Sequence, residues 1–412
     1  MTNLVNKNGI IGVLDIGTSK TCCLLARIEG HDAQIIGAGS HVCKGLQGGR
    51  IADLAETVAS IGAAVDAAEK QAGEVIDSVV VNAPLREFSS DLTSSCVELF
   101  DEEVSDADIS RLRAKAESAI HTGDKEILHC FPVAYLLDDN RILNDPRGLF
   151  GQKLGVVIHT MLCDKDPLRN LSKAADMSHL KCSAAVASPY AAGLACLTEE
   201  ERRQGVAVVD LGAGSTGVAV FKEGQLIYAA KLPLNAAHIT HDIEFCFSTS
   251  FAEAERLKIL KGAAFAPQSY GAEEISVASV GEDFKSVHTR KELAEIIIPR
   301  VEETFKAVRN ALKEKKLDGV CRNYVLTGGG SQLQSVREFA SEYLKRNVRI
   351  GTPVVPFDKK HLIADASLPF YMGCFGLLSY ALNRQIDVPH QKEMPQHQSK
   401  IFRFFRMLLD NC

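Results

Sequence analysis

Two aspartates stand out as residues placed for chemistry, because each closes an apolar run and is followed at once by glycines and hydroxyls. In the longer copy, Val206-Ala207-Val208-Val209 runs into Asp210. Gly212, Gly214 and Gly217 follow, interleaved with Ser215 and Thr216, and the apolar alternation resumes at Val218. The pattern predicts strand, tight turn, strand. Glycines at such a turn let backbone N–H groups come close to an anion, and a carboxylate at the strand end can hold Mg²⁺ through its water shell. Neither a Gly-Lys-Ser/Thr sequence nor a following helix is present, so this is not a Walker A loop or a dinucleotide fingerprint. Alone it could be a plain hairpin. About half a chain earlier, however, Val13-Leu14-Asp15-Ile16-Gly17-Thr18-Ser19-Lys20 repeats the order. Two copies imply two related halves facing each other, with a nucleotide between both turns and Mg²⁺ between Asp15 and Asp210. Lys20 either reaches a phosphate or is a solvated strand residue.

Composition narrows the partners. The chain has 412 residues, 46% hydrophobic and 24% charged, which suits two or more globular domains with full cores. A net charge of −6 offers no positive field for a nucleic-acid backbone. The 12 cysteines form no Cys-x-x-Cys pair and lie mostly in apolar contexts such as Cys22-Cys23, Cys182 and Cys374, as reduced buried thiols of a cytosolic protein do. Met1 to Asn8 lacks the apolar core of a signal peptide, and no apolar run approaches the ~20 residues of a membrane span.

The elements that must hold the two turns follow in chain order. Strands are expected at Ile11 to Ile16, Cys22 to Ile28 and Gln34 to Ala38, then a helix from Asp53 to Ala72 and a strand from Ile76 to Val81. From Arg86 to Leu162 short strands (Glu87 to Leu92, Cys96 to Phe100), a helix capped by Ser105, and extended stretches at Glu126 to Leu137 and Lys153 to Met161 make a small inserted α+β unit. A helix (Pro167 to Asp176), a strand (Cys182 to Ala187) and a small-residue helix opened by Ser188-Pro189 return to the first sheet. Beyond the second turn come strand Gln225 to Pro233, helices from Ala237 and Phe251, strand Glu274 to Ala278 and a long helix from Lys291 to Lys316. A third strand, Asn323 to Thr327, ends in Gly328-Gly329-Gly330. Helix Leu333 to Leu344, strand Val348 to Ile350 and helix Leu368 to Leu382 close the second half. Gly373 and Gly376 leave that last helix room for a partner, and the helix opened by Pro189 is the candidate.

Asn383 to Ser399 is polar and aperiodic, as a flexible linker is. In Lys400 to Leu409 a helical turn of ~100° per residue gathers Ile401, Phe402, Phe404, Phe405, Leu408 and Leu409 on one face. Lys400, Arg403 and Arg406 take the other. Such a helix packs on its own domain or lies on an anionic membrane surface. The linker, the aromatic face and the cationic flanks favour the membrane.

An Asp-Gly-Thr turn, a small-residue helix, an Asp-Gly-x-Gly turn, a Thr-Gly-Gly-Gly turn and a second small-residue helix, in that order, resemble the actin fold shared by actin, DnaK-type chaperones and sugar kinases. Within it the chain most resembles the bacterial cell division family FtsA. The carriers are the Arg86 to Leu162 insert, Leu232-Pro233 through Ile239-Thr240-His241-Asp242-Ile243, Ala254-Glu255-Arg256-Leu257-Lys258, Ile298-Pro299-Arg300 and the tail. The resemblance implies an α/β, actin-like (ribonuclease H-like) duplicated fold around a nucleotide cleft. Its parts would be 1–84 with 163–200, an insert at 85–162, 201–243 with 318–382, a subdomain over the nucleotide at 244–317, a linker at 383–399 and a membrane helix at 400–412. It implies ATP and Mg as cofactors, held by Asp15, Gly17, Thr18, Ser19, Lys20, Asp210, Gly212, Gly214, Ser215, Thr216 and Asp242. Glu255 and Lys258 would meet ribose and base, although their own pattern reads better as a solvated helix face, and Gly328, Gly329 and Gly330 would line the adenosine pocket. It further implies self-association, a place on the cytoplasmic face of the inner membrane, and the acidic C-terminal peptide of the tubulin-like protein FtsZ as partner, with Arg290 and Arg300 as candidate receivers. Where the family commonly has Gly-Gly-Asn, this chain has Asn235-Ala236-Ala237, so ATP binding with slow or no turnover is expected of a scaffold rather than an enzyme. A pilus-assembly scaffold and a sugar-kinase-like phosphotransferase are the rivals.

Overall fold

A computed structural model describes residues 4, 5, 9–29, 32–83, 85–101, 103–139, 141–279, 285–354, 357–358 and 371–385. The amphipathic segment from Lys400 to Leu409 and most of its linker lie outside the described residues.

The two acidic turns occupy equivalent places in two copies of one sheet. The first half runs β1 (Ile10–Ile16), β2 (Lys20–Glu29), β3 (Asp32–Val42), a short hairpin of β4 (Leu46–Gln47) and β5 (Arg50–Ile51), α1 (Leu54–Ala72) and β6 (Ser78–Ala83). An inserted unit follows: β7 (Ser89–Glu98), α2 (Asp106–Ser118), β8 (Lys125–Leu137), β9 (Arg141–Leu143) and β10 (Lys153–Asp164). The chain returns through α3 (Lys165–Met177), β11 (Lys181–Ala187), α4 (Ser188–Cys196) and α5 (Glu199–Gln204). The second half contains β12 (Val206–Leu211), β13 (Thr216–Lys222), β14 (Gln225–Leu232), α6 (Ala236–Cys246), α7 (Phe251–Lys261), β15 (Glu274–Ala278), β16 (Lys285–Thr289) and α8 (Arg290–Glu314). It ends with β17 (Asn323–Thr327), α9 (Val336–Leu344), β18 (Asn347–Ile350), β19 (Phe357–Asp358) and α10 (Met372–Gln385).

The sheet orders are β11-β6-β1-β2-β3-β19 and β14-β13-β12-β17-β18. Read from the hairpin outward, β3-β2-β1-β6-β11 matches β14-β13-β12-β17-β18, with three antiparallel strands followed by two parallel ones in both. Their strands are continuous apolar runs because both faces are covered. On one face of the first sheet Ile61, Ala64 and Ala68 of α1 are buried. On the facing sides, Ile11 and Val13 share one core with Val206 and Val208 through Ala191 and Ala195 of α4 and Phe375 and Leu378 of α10. The two small-residue helices therefore pack on each other between the sheets. A Cβ at Gly376 would lie 2.0 Å from the Ala191 carbonyl oxygen, so that glycine permits the close crossing. Gly373 differs from expectation, since the space it leaves is taken by the Asp15 carboxylate rather than by a helix.

The insert forms a separate four-stranded sheet, β7-β10-β8-β9. One strand, Ser89–Glu98, replaces the two expected around Leu92 and Cys96, because its ladder with β10 is unbroken from Ser89 to Glu98. Ser105 caps α2 through a capping box with Asp108. Of the helix expected from Leu333 to Leu344, only Val336–Leu344 is α-helical, preceded by a 3-10 turn, Gly329–Gln332.

Candidate functional site

Both turns are closed by the same bond. The Gly17 N–H donates to the Lys20 carbonyl at 2.9 Å, and the Gly212 N–H donates to that of Ser215 at 3.1 Å. Asp15 and Asp210 occupy matching rungs, opposite Cys22 and Gly217 respectively. The next strand supports each turn from the side: Asn82 accepts the Ile16 N–H at 2.7 Å, and Thr327 pairs with Asp210. The turns also touch each other, for a Cβ on Gly214 would fall 2.1 Å from Thr18 Oγ1 and 3.2 Å from the Gly49 nitrogen. Ser19 is exposed at the tip of the first turn, and Ser215 is half-buried within the second.

The two carboxylates share one electrostatic environment. Burial raises the Asp15 pKa, and Lys20 and Lys231 oppose the rise. Asp210 is pushed up to about 6 by burial and then by the Asp15 charge, again opposed by Lys231 and Lys20. Among the described residues neither carboxylate joins an ion pair or a side-chain hydrogen bond. Two unpartnered carboxylates facing one space suit a hydrated Mg²⁺ that takes its other ligands from phosphates. No group of three or more His, Cys, Asp or Glu able to hold a metal alone occurs among the described residues.

The sequence did not mark Lys231. Its signal was a lone charge near the end of an otherwise apolar strand, Leu226-Ile227-Tyr228-Ala229-Ala230. In the sheet Asp210 pairs with Gly217 and Gly217 with Lys231, so Asp210 and Lys231 lie in one row on one face, and the residue between them is a glycine against which the Pro189 ring packs.

Gly328 closes the second turn from the far side. Its φ is +79°, and a Cβ there would meet Asp210 Oδ1 and, at 2.8 Å, the Leu211 carbonyl oxygen. Gly330 likewise backs Leu211, while Gly329 faces open space. The start of α6 explains what Asn235-Ala236-Ala237 does here. Asn235 caps the helix by accepting the His238 N–H at 3.0 Å and donates through Nδ2 to the Gly214 carbonyl at 3.3 Å. The Ala236 and Ala237 N–H groups donate to the carbonyls of Gly212 and Ala213, so this helix start is spent on bracing the turn.

Glu255 and Lys258 lie on α7 against that helix start. Lys258 Nζ is 2.6 Å from Glu255 and donates to Thr240 Oγ1 at 2.8 Å and to the Ala236 carbonyl at 3.1 Å. Both are thus engaged with α6, although Glu255 keeps partial exposure. Asp242 is a correction. Its carboxylate is held by Arg300 through two bonds, 2.5 and 3.1 Å, so it belongs to an α6–α8 brace and not to the cleft. Arg290 is a second correction. It pairs with Glu273 at 3.0 Å, donates to Gln334 and the Lys261 carbonyl, stacks on Tyr270 and is only 14% exposed. Arg300, bonded also to Glu303, is 38% exposed. A cavity of about 660 Å³ opens at Asp138, Phe150 and Lys153 of the insert and shares no lining residue with the turns.

Comparison with known proteins agrees with this architecture. A family model described as cell division protein FtsA matches residues 207–373, and one described as an SHS2 domain inserted in FtsA matches 86–162. The cell division protein FtsA of Rhizobium meliloti is 34% identical over 389 residues, covering 91% of this chain and 87% of its own. That of Escherichia coli is 30% identical, covering 94% and 93%. Among solved structures, a PilM-PilN type IV pilus biogenesis complex superposes with a TM-score of 0.63 at 18% identity, over 92% of this chain and 99% of that one. MreB5 of Spiroplasma citri bound to ADP gives 0.53 at 11% identity, over 92% and 98%. The structural likenesses establish the actin-like fold, and with identity of this extent to curated relatives the chain belongs to the FtsA family of cell division proteins.

Proposed function

We propose that the chain is an ATP-binding, actin-like scaffold of cell division that self-associates and ties FtsZ to the cytoplasmic face of the membrane. One observation carries the nucleotide reading: two acidic glycine turns of identical build meet across the space between two copies of one sheet. In this reading the backbone at Gly17, Gly212 and Gly214 and the hydroxyls of Thr18, Ser19 and Ser215 surround the phosphates, with Lys20 beside them; Thr216 is a correction, since it is buried beside Leu211 on the sheet face opposite Asp210 and Gly217. Asp15 and Asp210 hold Mg²⁺ through water, and the ion supplies charge neutralisation to the triphosphate. Gly328, Gly329 and Gly330 border the adenosine, and Glu255 and Lys258 approach the ribose from α7. Turnover is slow or absent, since the N–H groups at the start of α6 are committed to the turn.

The amphipathic segment at 400–412, reached through the linker at 383–399, would bring the scaffold to anionic lipid. A single short helix binds reversibly, so self-association supplies the avidity. Arg300 is more exposed than Arg290 and is the remaining candidate receiver for an acidic FtsZ peptide, which would have to displace Asp242 or Glu303 from its guanidinium. The division into 1–84 with 163–200, 85–162, 201–243 with 318–382, and 244–317 belongs to the same proposal.

A ligand bound only by the native state raises the melting temperature, so saturating Mg-ATP is expected to raise Tm, and Asp210→Asn to reduce that rise. An unchanged Tm in the unmodified chain would remove the nucleotide reading.

A further inference from the structure

We propose that Lys231 is a phosphate-binding residue, supplied by the second lobe opposite Lys20, so that each wall of the cleft brings one carboxylate and one ammonium to the polyphosphate of a nucleotide. The proposal rests on the nucleotide reading above and deepens it.

The placement is fixed by the sheet. Lys231 shares a row and a face with Asp210, and the residue between them is Gly217, whose missing side chain leaves no obstacle beyond Pro189. The strand under it is anchored on both sides. Two residues earlier the Ala229 N–H donates to Ser90 Oγ of the insert at 2.9 Å, and four residues later Asn235 holds the Gly214 carbonyl of the phosphate turn. Lys231 therefore stands on a braced strand, on the sheet face that carries Asp210.

Among the described residues, Asp210 and Asp15 act on Lys231 through their fields but neither bonds to it. Lys231 is half-buried, and among the described residues it makes no ion pair or side-chain hydrogen bond. Burial pushes its pKa down, and only the fields of Asp210 and Asp15 push it back. A half-buried ammonium without a direct partner costs stability, and a bound anion would offset that cost. The charges of Mg²⁺, Asp15, Asp210, Lys20 and Lys231 sum to about +2, where Lys20 alone would leave about +1, so Lys231 adds to the positive charge that meets the triphosphate.

The test is calorimetric titration of the full chain with ATP, ADP and adenosine, for the unmodified protein, Lys231→Met and Lys231→Arg. A charge-assisted contact predicts that Lys231→Met weakens ATP and ADP about 10- to 100-fold and leaves adenosine unchanged. Lys231→Arg should recover most of the loss. Equal weakening of ATP and adenosine, or no weakening, overturns the proposal while leaving the nucleotide reading intact. An unmodified chain that binds none of the three overturns both. Should Lys231→Met fail to fold, Lys231→Gln gives the same comparison.

Discussion

Single atoms set the tolerance of the centre of this molecule. At Gly376 a methyl group would sit 2.0 Å from the backbone carbonyl of Ala191, which cannot turn aside. Gly376→Ala should therefore cost about 3 kcal/mol, the upper part of the overpacking range, read as a lowered urea midpoint. At Gly373 the same methyl meets the Asp15 carboxylate, a group that can swing away. The loss there should fall on ligand binding more than on the fold. Asp15, Asp210 and the glycines stood out in the sequence because one pattern occurs twice, half a chain apart, whereas either copy alone could be a plain hairpin. Residue types could not separate a free charge from a committed one. Asp242 and Arg300 satisfy each other across 58 positions of sequence, and Arg290 is used up by Glu273, Gln334 and Tyr270.

Between elements, a buried polar link runs from the insert to the second half. Ser90 on β7 accepts the Ala229 N–H at 2.9 Å and lies 2.7 Å from His159 Nε2 on β10. The bond between Ser90 Oγ and Nε2 runs in the direction set by the imidazole tautomer, and His159 Nδ1 is buried without a partner among the described residues. His159 is fully buried, and burial pushes its pKa down to about 4, with Asp91 opposing. In the unfolded chain the same imidazole titrates near its ordinary 6.5. Below that value the unfolded state binds the extra proton and the folded state does not, so this histidine favours the fold above pH 6.5, with the advantage lost between 6.5 and about 4. The expected loss is on the order of 3 kcal/mol across that window. Urea unfolding of the unmodified chain and of His159→Leu measures it, and the variant should have the flatter pH profile. Ser90→Ala strands both partners in the core and should cost about 1–3 kcal/mol at neutral pH.

For the molecule as a whole, the decisive feature is that two halves present equivalent turns to one space, with α4 and α10 as a shared core between their sheets. A tail acting on lipid should be separable from that body. Protein ending at Leu382 is expected to lose co-sedimentation with anionic vesicles while keeping its ATP-induced rise in Tm, and retention of vesicle binding would count against the tail. The sequence by itself determined the repeated acidic turns, the order of strands and small-residue helices, and the family, because these depend on local pattern and on motifs that keep their order along the chain. Element limits were less legible. Ser89–Glu98 became one strand because β10 pairs along its whole length, and a partner strand is invisible to local pattern. Only the tertiary structure decided which charges are free. Lys231 gained its place from two successive strand registers, whereas Asp242 and Arg290 lost theirs to partners on other elements. The physical reason is that electrostatic roles depend on distance and burial, and a chain acquires both only when its strands pair and its helices close over them.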